Sequence, residues 1–249
     1  MVQLRRRPPT NRRPAPPPTE HRAQFRVDLQ ALDDEMQAMA TQACNALDLS
    51  MEAIEHPDAE TCRQIVDGDD TLDARCLDIQ RRAVEQLGLQ QPVASDLRLL
   101  VALIQVALHL ERIGDMAVNV AQVTQGATAP LPSNDETIRH LQDMGELAVT
   151  MTRLAVKAFT GRDRALCEQL PDRDERVDRL HRSMIDHAVV AVDDPKRGET
   201  TLRMLQVSRY LERAADHAVD IAEQAWSSSP ASCASSLSVV GTSSRRARS

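Results

Sequence analysis

Four pairs of acidic residues, each with its members four positions apart, are the side chains of this sequence best suited to chemistry. They are Asp69 and Asp73, Glu111 and Asp115, Asp174 and Asp178, and Glu212 and Asp216. Residues four apart on a helix lie on the same face, with about 5–6 Å between their Cβ atoms. Each pair therefore predicts two carboxylates that can close on one cation or bridge two.

The acid pairs form two matched sets because the chain contains an internal duplication. A shift of 101 residues gives nine identities over positions 100–123, and a shift of 105 aligns Asp69 with Asp174 and Asp73 with Asp178. Both halves need apolar residues at matching positions to form a core, whereas the residues of a solvated face can differ between duplicates. Matched acids therefore favour a functional site over a solvated face. The alternative is that these acids make surface ion pairs with nearby arginines, namely Arg75, Arg112, Arg179 and Arg213.

Asp69 and Asp174 interrupt an apolar stripe at the same point of the two halves. Because a carboxylate facing a core is costly without compensation, both aspartates are predicted to have a charged partner. The stripes comprise Cys62, Ile65, Leu72, Cys76 and Ile79 in one half, and Cys167, Leu170, Val177, His181 and Met184 in the other. In the following helix the acids lie about 100° from an uninterrupted stripe, at the edge of the core.

If the two acid-bearing helices of each half pack with these edges adjacent, four carboxylates converge in each half. Oxygen-only ligands admit Mg²⁺, Mn²⁺, Ca²⁺ and Fe²⁺. We expect a divalent metal as cofactor, with Mg, Mn, Fe or Zn as candidates.

His181 and His217 could add nitrogen ligands, but their counterparts are Cys76 and Met116. We therefore predict that His181 lies in a seam between helices and His217 on the surface.

The elements that carry these residues are predicted to be helices. With 2% aromatic residues and eight glycines in 249 residues, the chain is poor material for a β-sandwich or barrel. Apolar residues recur at spacings of three and four, which predicts an all-α fold of six long helices in two tandem three-helix bundles. The predicted helices are 25–54, 58–87, 95–124, 135–160, 163–192 and 195–226, with Gly88 ending the second.

Breaks in this pattern define the predicted domains. The chain is predicted to consist, in order, of a disordered Arg/Pro-rich tail (1–21), a first bundle (22–125), a linker (126–134), a second bundle (135–226) and a disordered Ser-rich tail (227–249).

Charge and hydropathy exclude several classes of protein. The first 24 residues carry a net +5 and the last 25 a net +3, so the body between them carries −15, which suits cations and not nucleic acid. No apolar run is long enough to span a bilayer, and no apolar segment follows the N-terminal arginines, so we expect a cytoplasmic protein. The five scattered cysteines contain no CxxC and are predicted to be buried, reduced thiols.

Two motifs carry a resemblance to a known family. The run Gln91-Pro92-Val93-Ala94-Ser95-Asp96-Leu97-Arg98, followed by Leu110-Glu111-Arg112-Ile113-Gly114-Asp115-Met116-Ala117-Val118-Asn119-Val120-Ala121, resembles the signature of PhoU, the phosphate-signalling regulators of bacteria. The second half is similar at Leu211-Glu212-Arg213, Asp216-His217-Ala218 and Ile221-Ala222-Glu223. The resemblance covers about residues 22–226.

The resemblance implies two three-helix bundles with pseudo-twofold symmetry and metal clusters on E(D)xxxD motifs, which fall here on the four acid pairs. It implies a negative regulator that links the phosphate ABC transporter and its ATPase to a sensor histidine kinase, and a homodimer. Two departures occur in the second half. Ala214-Ala215 replaces the expected Ile-Gly, and Asp220 replaces an expected Asn, so the second site is expected to differ in geometry or charge.

Two other functions stay open from the residues themselves. A di-metal carboxylate oxidase also builds acids into a helical bundle, but its Glu-x-x-His motif is absent, and Asp178-Arg-Leu-His181 is the nearest sequence. Neither GxxxxGK nor GxSxG occurs, so we predict no catalytic residues. The other alternative is a metal-free structural adaptor.

Overall fold

The computed structural model describes residues 20–56, 58–90, 92, 94–125, 136–191 and 198–228, and nearly all of these residues are helical, with no strand among them. The helices are α1 (Glu20–Glu55), α2 (Ala59–Gln90), α3 (Ala94–Gln125), α4 (Glu136–Gly161), α5 (Arg164–Cys167), α6 (Leu170–Ala191) and α7 (Gly198–Ser228). The prediction of an all-α fold with six long helices in two three-helix bundles is confirmed: α1, α2 and α3 pack together, as do α4, α6 and α7.

The third helix of each bundle buries its predicted stripe completely. The stripe residues of α3 and α7 are at most 3% exposed: Leu103, Val106, Leu110, Ile113, Ala117, Val120, Met204, Val207, Leu211, Ala214, Ala218 and Ile221. Because a Leu, Ile, Val or Met side chain contributes about 1.5–3 kcal/mol when fully buried, this face fixes the rotation of each helix. The acid-bearing faces are placed by that rotation.

The two bundles meet through equivalent helices, because α3 packs against α7 and α1 packs against α4. Two ion pairs join α1 to α4 and the turn after it: Arg153 Nη2 lies 3.3 Å from Asp48 Oδ2, and Arg162 Nη2 lies 3.2 Å from Asp33 Oδ2. Contacts between helices at equivalent positions of the two halves produce the pseudo-twofold arrangement that the duplication predicts.

Among the described helices, none has the length and apolar character needed to cross a membrane.

The fifth predicted helix is divided in two, so the prediction of one helix over 163–192 is wrong. Asp163 caps α5 by accepting a hydrogen bond from the Ala165 N–H at 2.9 Å, and α6 begins only at Leu170. Pro171 explains the break, because proline has no N–H and its ring collides with the carbonyl of the preceding turn. It is tolerated in the first turn of α6.

Gly88 does not end its helix as predicted. Gly88 lies inside α2, which continues to Gln90, two residues before Pro92. At the end of α4 the left-handed conformation is adopted by Arg162 (φ 54°) and not by Gly161. Arg162 N–H donates to Phe159 O at 3.2 Å and Asp163 N–H to Ala158 O at 2.9 Å, a Schellman motif.

The remaining local predictions concern cysteines and domain limits. Cys44, Cys62, Cys76 and Cys167 are buried free thiols, as predicted. Cys233 and the linker 126–134 lie outside the described residues, as do both tails except for the two residues of each that belong to α1 and α7.

Candidate functional site

The acid pairs of the first half lie together where α2 packs against α3. Burial, followed by the charges of Asp73, Asp115 and Glu111, raises the pKa of Asp69 from 3.8 to about 6. Repulsion between charges weakens with separation, so the carboxylates whose charges raise the pKa of Asp69 lie near it. The structure therefore brings Asp69, Asp73, Glu111 and Asp115 into one cluster, which we call the first acid cluster.

One arginine partly compensates the first acid cluster. Arg112 Nε lies 3.4 Å from Glu111 Oε2, and its Nη1 lies 3.4 Å from Asp115 Oδ2. These contacts are long for charge-assisted hydrogen bonds. Burial first, and then the charge of Asp115, still raises the pKa of Glu111 in spite of Arg112. The first acid cluster therefore keeps an excess of negative charge.

Asp69 is held against α3 by a close approach of the two helices at Gly114. A Cβ built on Gly114 would lie 2.2 Å from Leu72 Cδ2 and 3.1 Å from Asp69 Oδ1, so only glycine fits without a shift. Asp69 Oδ1 is buried and accepts no hydrogen bond from the described residues. An unsatisfied buried carboxylate oxygen is costly, and a cation beside it would remove that cost.

The second half repeats the arrangement where α6 packs against α7. Burial, followed by the charges of Asp178, Asp216 and Glu212, raises the pKa of Asp174 to about 6. Asp216 lies at the exposed rim, and partial withdrawal of its carboxyl from water, followed by the charges of Glu212 and Asp178, raises its pKa to about 6. We call Asp174, Asp178, Glu212 and Asp216 the second acid cluster.

The second acid cluster contains its own cation. Glu212 is only 4% exposed, and both its oxygens accept hydrogen bonds from Arg209 Nη1, at 2.7 and 2.6 Å. The residue that matches Arg209 in the first half is Leu108. Sequence reasoning missed Arg209, although its spacing of three from Glu212 is a signal for a helical ion pair. The two clusters therefore differ in charge, through Arg209 as well as through the departure Asp220, whose charge contributes to the raised pKa of Asp216.

A tighter group of ligand atoms lies where α3 meets α7. Among the described residues, His109, His217 and Asp220 form the one group of three His, Cys, Asp or Glu side chains whose ligand atoms all lie within 4.8 Å of one another. The acid clusters are more open than this, which suits hydrated ions or ions bridged by several carboxylates better than one closely coordinated ion.

The structure decides both histidine predictions. His181 lies in the seam between α6 and α7, with Nδ1 2.9 Å from Ser208 Oγ, as predicted. The prediction that His217 is a surface residue is wrong: its side chain is only 20% exposed and packs against His109, with 5.5 Å between ring centroids. The face of α7 that carries His217 is covered by α3 of the other bundle, and nothing in the local pattern indicates this.

The family model described as PhoU domain matches residues 36–124 and 141–225, once in each bundle. A protein of Caulobacter vibrioides called phosphate-specific transport system accessory protein PhoU homolog is 33% identical over 172 residues, covering 69% of this chain and 74% of its own. A protein of the same name from Aquifex aeolicus is 29% identical over 190 residues, covering 75% and 84%.

Two solved structures share the fold. The crystal structure of PhoU from Pseudomonas aeruginosa superimposes with a TM-score of 0.76 and 26% identity, covering 82% of this chain and 98% of that chain. The phosphate transport system regulatory protein PhoU from Streptococcus pneumoniae gives a TM-score of 0.72 at 21% identity, covering 82% and 96%.

Proposed function

Because this chain belongs to the PhoU domain family, we propose that it is a cytoplasmic negative regulator of phosphate uptake and of phosphate-starvation signalling. The family domain occurs in both bundles and together the two copies account for most of the chain. The relatives cited above carry the name of accessory proteins of the phosphate-specific transport system, which supports a regulatory and not an enzymatic role.

The observation that carries this proposal is the duplicated acid cluster at the edge of each core. Divalent cations, with Mg, Mn, Fe and Zn as candidates, are held by Asp69, Asp73, Glu111 and Asp115 in one half and by Asp174, Asp178, Glu212 and Asp216 in the other. The donor set fits such ions: Asp69 Oδ1 is buried and receives no hydrogen bond from the described residues, and burial together with neighbouring acids raises the pKa of Asp69 and of Asp174. A bound cation supplies positive charge that neutralises this repulsion.

The output of the protein is contact with partners. Its body carries −15 between the two basic ends of the chain, and each acid cluster has an exposed carboxylate, Asp73 in the first and Asp216 in the second. Cation loading changes the charge of these clusters and therefore which protein surfaces they match. The partners are the phosphate ABC transporter, through its ATPase, and a sensor histidine kinase, and a homodimer is the expected assembly.

A complementation experiment tests the regulatory role. Deletion of the gene should switch on phosphate-starvation genes in plentiful phosphate, and the wild-type gene should restore repression. The double variant Asp115→Ala/Asp216→Ala should fail to restore it while keeping its helical content by circular dichroism. The control Asp67→Ala/Asp172→Ala removes the same charge from another matched pair of exposed acids next to the clusters. It should restore repression fully.

Three results would contradict the proposal. Normal repression in the deletion strain would exclude the regulatory role. Metal-dependent oxidase or phosphatase turnover by the purified protein that disappears in Glu111→Ala would instead support the di-metal oxidase alternative or another enzyme. Equal divalent-metal content in wild type and in Asp115→Ala/Asp216→Ala, purified without chelator or affinity metal, would remove the clusters from the function and favour the metal-free adaptor.

A further inference from the structure

Two histidines and an aspartate from different bundles meet in the interface between α3 and α7. His109 belongs to α3, and His217 and Asp220 belong to α7. The Nδ1 atoms of the histidines are 3.4 Å apart, and they lie 3.5 and 3.6 Å from Asp220 Oδ2. None of these residues belongs to an acid cluster. The three ligand atoms form a nearly equilateral triangle.

We infer that His109, His217 and Asp220 bind one divalent transition-metal ion through their two Nδ1 atoms and a carboxylate oxygen. The size of the triangle supports this. With metal–ligand distances of about 2.0–2.1 Å, two ligands of a tetrahedral ion are about 3.3–3.4 Å apart, whereas neighbouring ligands of an octahedral ion are only about 3.0 Å apart. The observed separations of 3.4, 3.5 and 3.6 Å match the tetrahedral arrangement.

The donor types select the ion. Two imidazole nitrogens and one carboxylate suit Zn²⁺ and Co²⁺, while Mg²⁺ and Ca²⁺ prefer oxygen ligands alone. The side chains of His109, His217 and Asp220 are 24%, 20% and 46% exposed, so an ion can enter from solvent. Three protein ligands leave the fourth tetrahedral position for water or for a group of a partner protein.

The surroundings of His217 favour the tautomer that such binding needs. An Nδ1 ligand requires the ring proton on Nε2, and Nε2 of His217 is buried without a hydrogen-bond acceptor among the described residues. The Glu111 carboxylate interacts electrostatically with His217, and Glu111 Oε2 likewise receives no hydrogen bond. The negative charge of Glu111 favours a proton on Nε2, although the two groups share no hydrogen bond.

The duplication supplies variants that should fold. The positions that match His109, His217 and Asp220 in the other half of the repeat hold Tyr210, Met116 and Asn119, none of which forms such a group. One ion per chain is therefore expected. His109→Tyr and Asp220→Asn each introduce a residue that the same helix position already carries in the other bundle. Because the ligands come from α3 and α7, the ion links the two bundles.

The experiment uses the full chain, stripped with chelator, in an Asp115→Ala/Asp216→Ala background that weakens the acid clusters. Zn²⁺ binding is measured by calorimetry and Co²⁺ binding by visible absorption, where tetrahedral Co²⁺ gives intense bands. One ion per chain with tetrahedral bands is expected. His109→Tyr and Asp220→Asn should each weaken Zn²⁺ binding by at least about 100-fold, since loss even of an outer partner costs 10–100-fold.

The matched control is another histidine pair beside an acid. His140 and His187 stack with 5.5 Å between centroids, and each Nε2 lies 3.8 Å from a different oxygen of Glu136. His140→Gln/His187→Gln should leave Zn²⁺ affinity and the Co²⁺ bands unchanged. The inference is overturned if no Zn²⁺ binds, if the bands persist in Asp220→Asn, or if the control removes them. In those cases His109 and His217 simply share a hydrogen bond. The Zn²⁺ and Co²⁺ titrations measure metal binding by the purified protein. Loss of starvation repression in the acid-cluster variants would therefore leave their results unchanged.

Discussion

Gly114 of α3 lies directly against Asp69 of α2, so that a Cβ at residue 114 would stand 3.1 Å from Asp69 Oδ1 and 2.2 Å from Leu72 Cδ2. The absence of one methyl group therefore sets how closely the two acid-bearing helices of the first half approach. In the second half the matching residue is Ala215, which is fully buried. The spacing of the acids in the first cluster depends on this glycine.

We expect Gly114→Ala to destabilise the protein by about 1–3 kcal/mol, because Leu72 is buried and cannot move aside without repacking. Urea unfolding measures the change. The control is Gly68→Ala in α2, where nothing lies within 4 Å of the added Cβ. It should stabilise by about 0.5–1 kcal/mol through helix propensity. Equal effects of the two substitutions would contradict the close approach at Gly114.

In chelator, stability should fall as pH rises from about 4 to about 6. The pKa values of Asp69, Asp174 and Asp216 are raised from 3.8 to about 6 in the folded protein. Across this window the folded state therefore binds more protons than the unfolded state, so raising the pH disfavours folding, and the effect levels off above about 6. Melting temperatures at a series of pH values measure it.

The variant Asp69→Asn/Asp174→Asn should flatten this pH profile and raise the melting temperature at pH 7. Asp67→Asn/Asp172→Asn alters exposed acids of the same two helices and should keep the wild-type slope. Added Mn²⁺ should raise the melting temperature of wild type at pH 7, because a ligand of the folded state stabilises it. If stability instead increases from pH 4 to 6 in wild type and in both double variants, ionisation of the clustered acids does not destabilise the folded protein.

Arg209 should compete with metal at the second acid cluster. Arg209→Leu gives this cluster the residue found at the matching position of the first, Leu108. We expect its affinity for Mn²⁺ to rise several-fold, because an ion pair of a partly exposed arginine is worth up to about 1 kcal/mol. Calorimetric titration measures this. The converse substitution, Leu108→Arg, should weaken binding at the first cluster, and an unchanged affinity in both variants would contradict the competition.

Removal of the Arg209 side chain should also lower stability in chelator. Glu212 is 4% exposed and accepts two hydrogen bonds from Arg209, so its buried carboxylate loses a compensating charge. The expected cost is about 1–3 kcal/mol. Thermal unfolding of Arg209→Leu with and without Mn²⁺ separates this loss from the gain in binding.

The two ion pairs that join α1 to α4 and its following turn should differ in their contribution. Asp33 is 14% exposed beside Arg162, whereas Asp48 and Arg153 are both more than half exposed. Arg162→Asn, which keeps a residue that tolerates a positive φ, should cost about 1–3 kcal/mol, since it leaves a carboxylate whose pKa burial already raises. Arg153→Ala should cost at most about 1 kcal/mol. Urea unfolding that reverses this order would contradict the assignment.

The features of the fold that the sequence predicts are those set by local periodicity. The stripe from Leu103 to Val120 identifies a helix and its buried face without knowledge of any other helix, because only one face repeats every 3.6 residues. The exceptions occur where a local backbone preference competes with the helical periodicity. Pro171 breaks a helix that the periodicity would continue, and the left-handed position after α4 is taken by Arg162, a residue other than glycine.

The sequence by itself determined the helices, their core faces and the four acid pairs, since each is fixed by residue type and spacing along one helix. Tertiary structure decided which faces meet. His109 and His217 are 108 residues apart and adjoin only because α3 packs against α7, and the approach of Asp69 to Gly114 depends on how α2 lies on α3. Apolar helix faces are chemically alike, so the pairing of helices follows from how their surfaces fit in three dimensions.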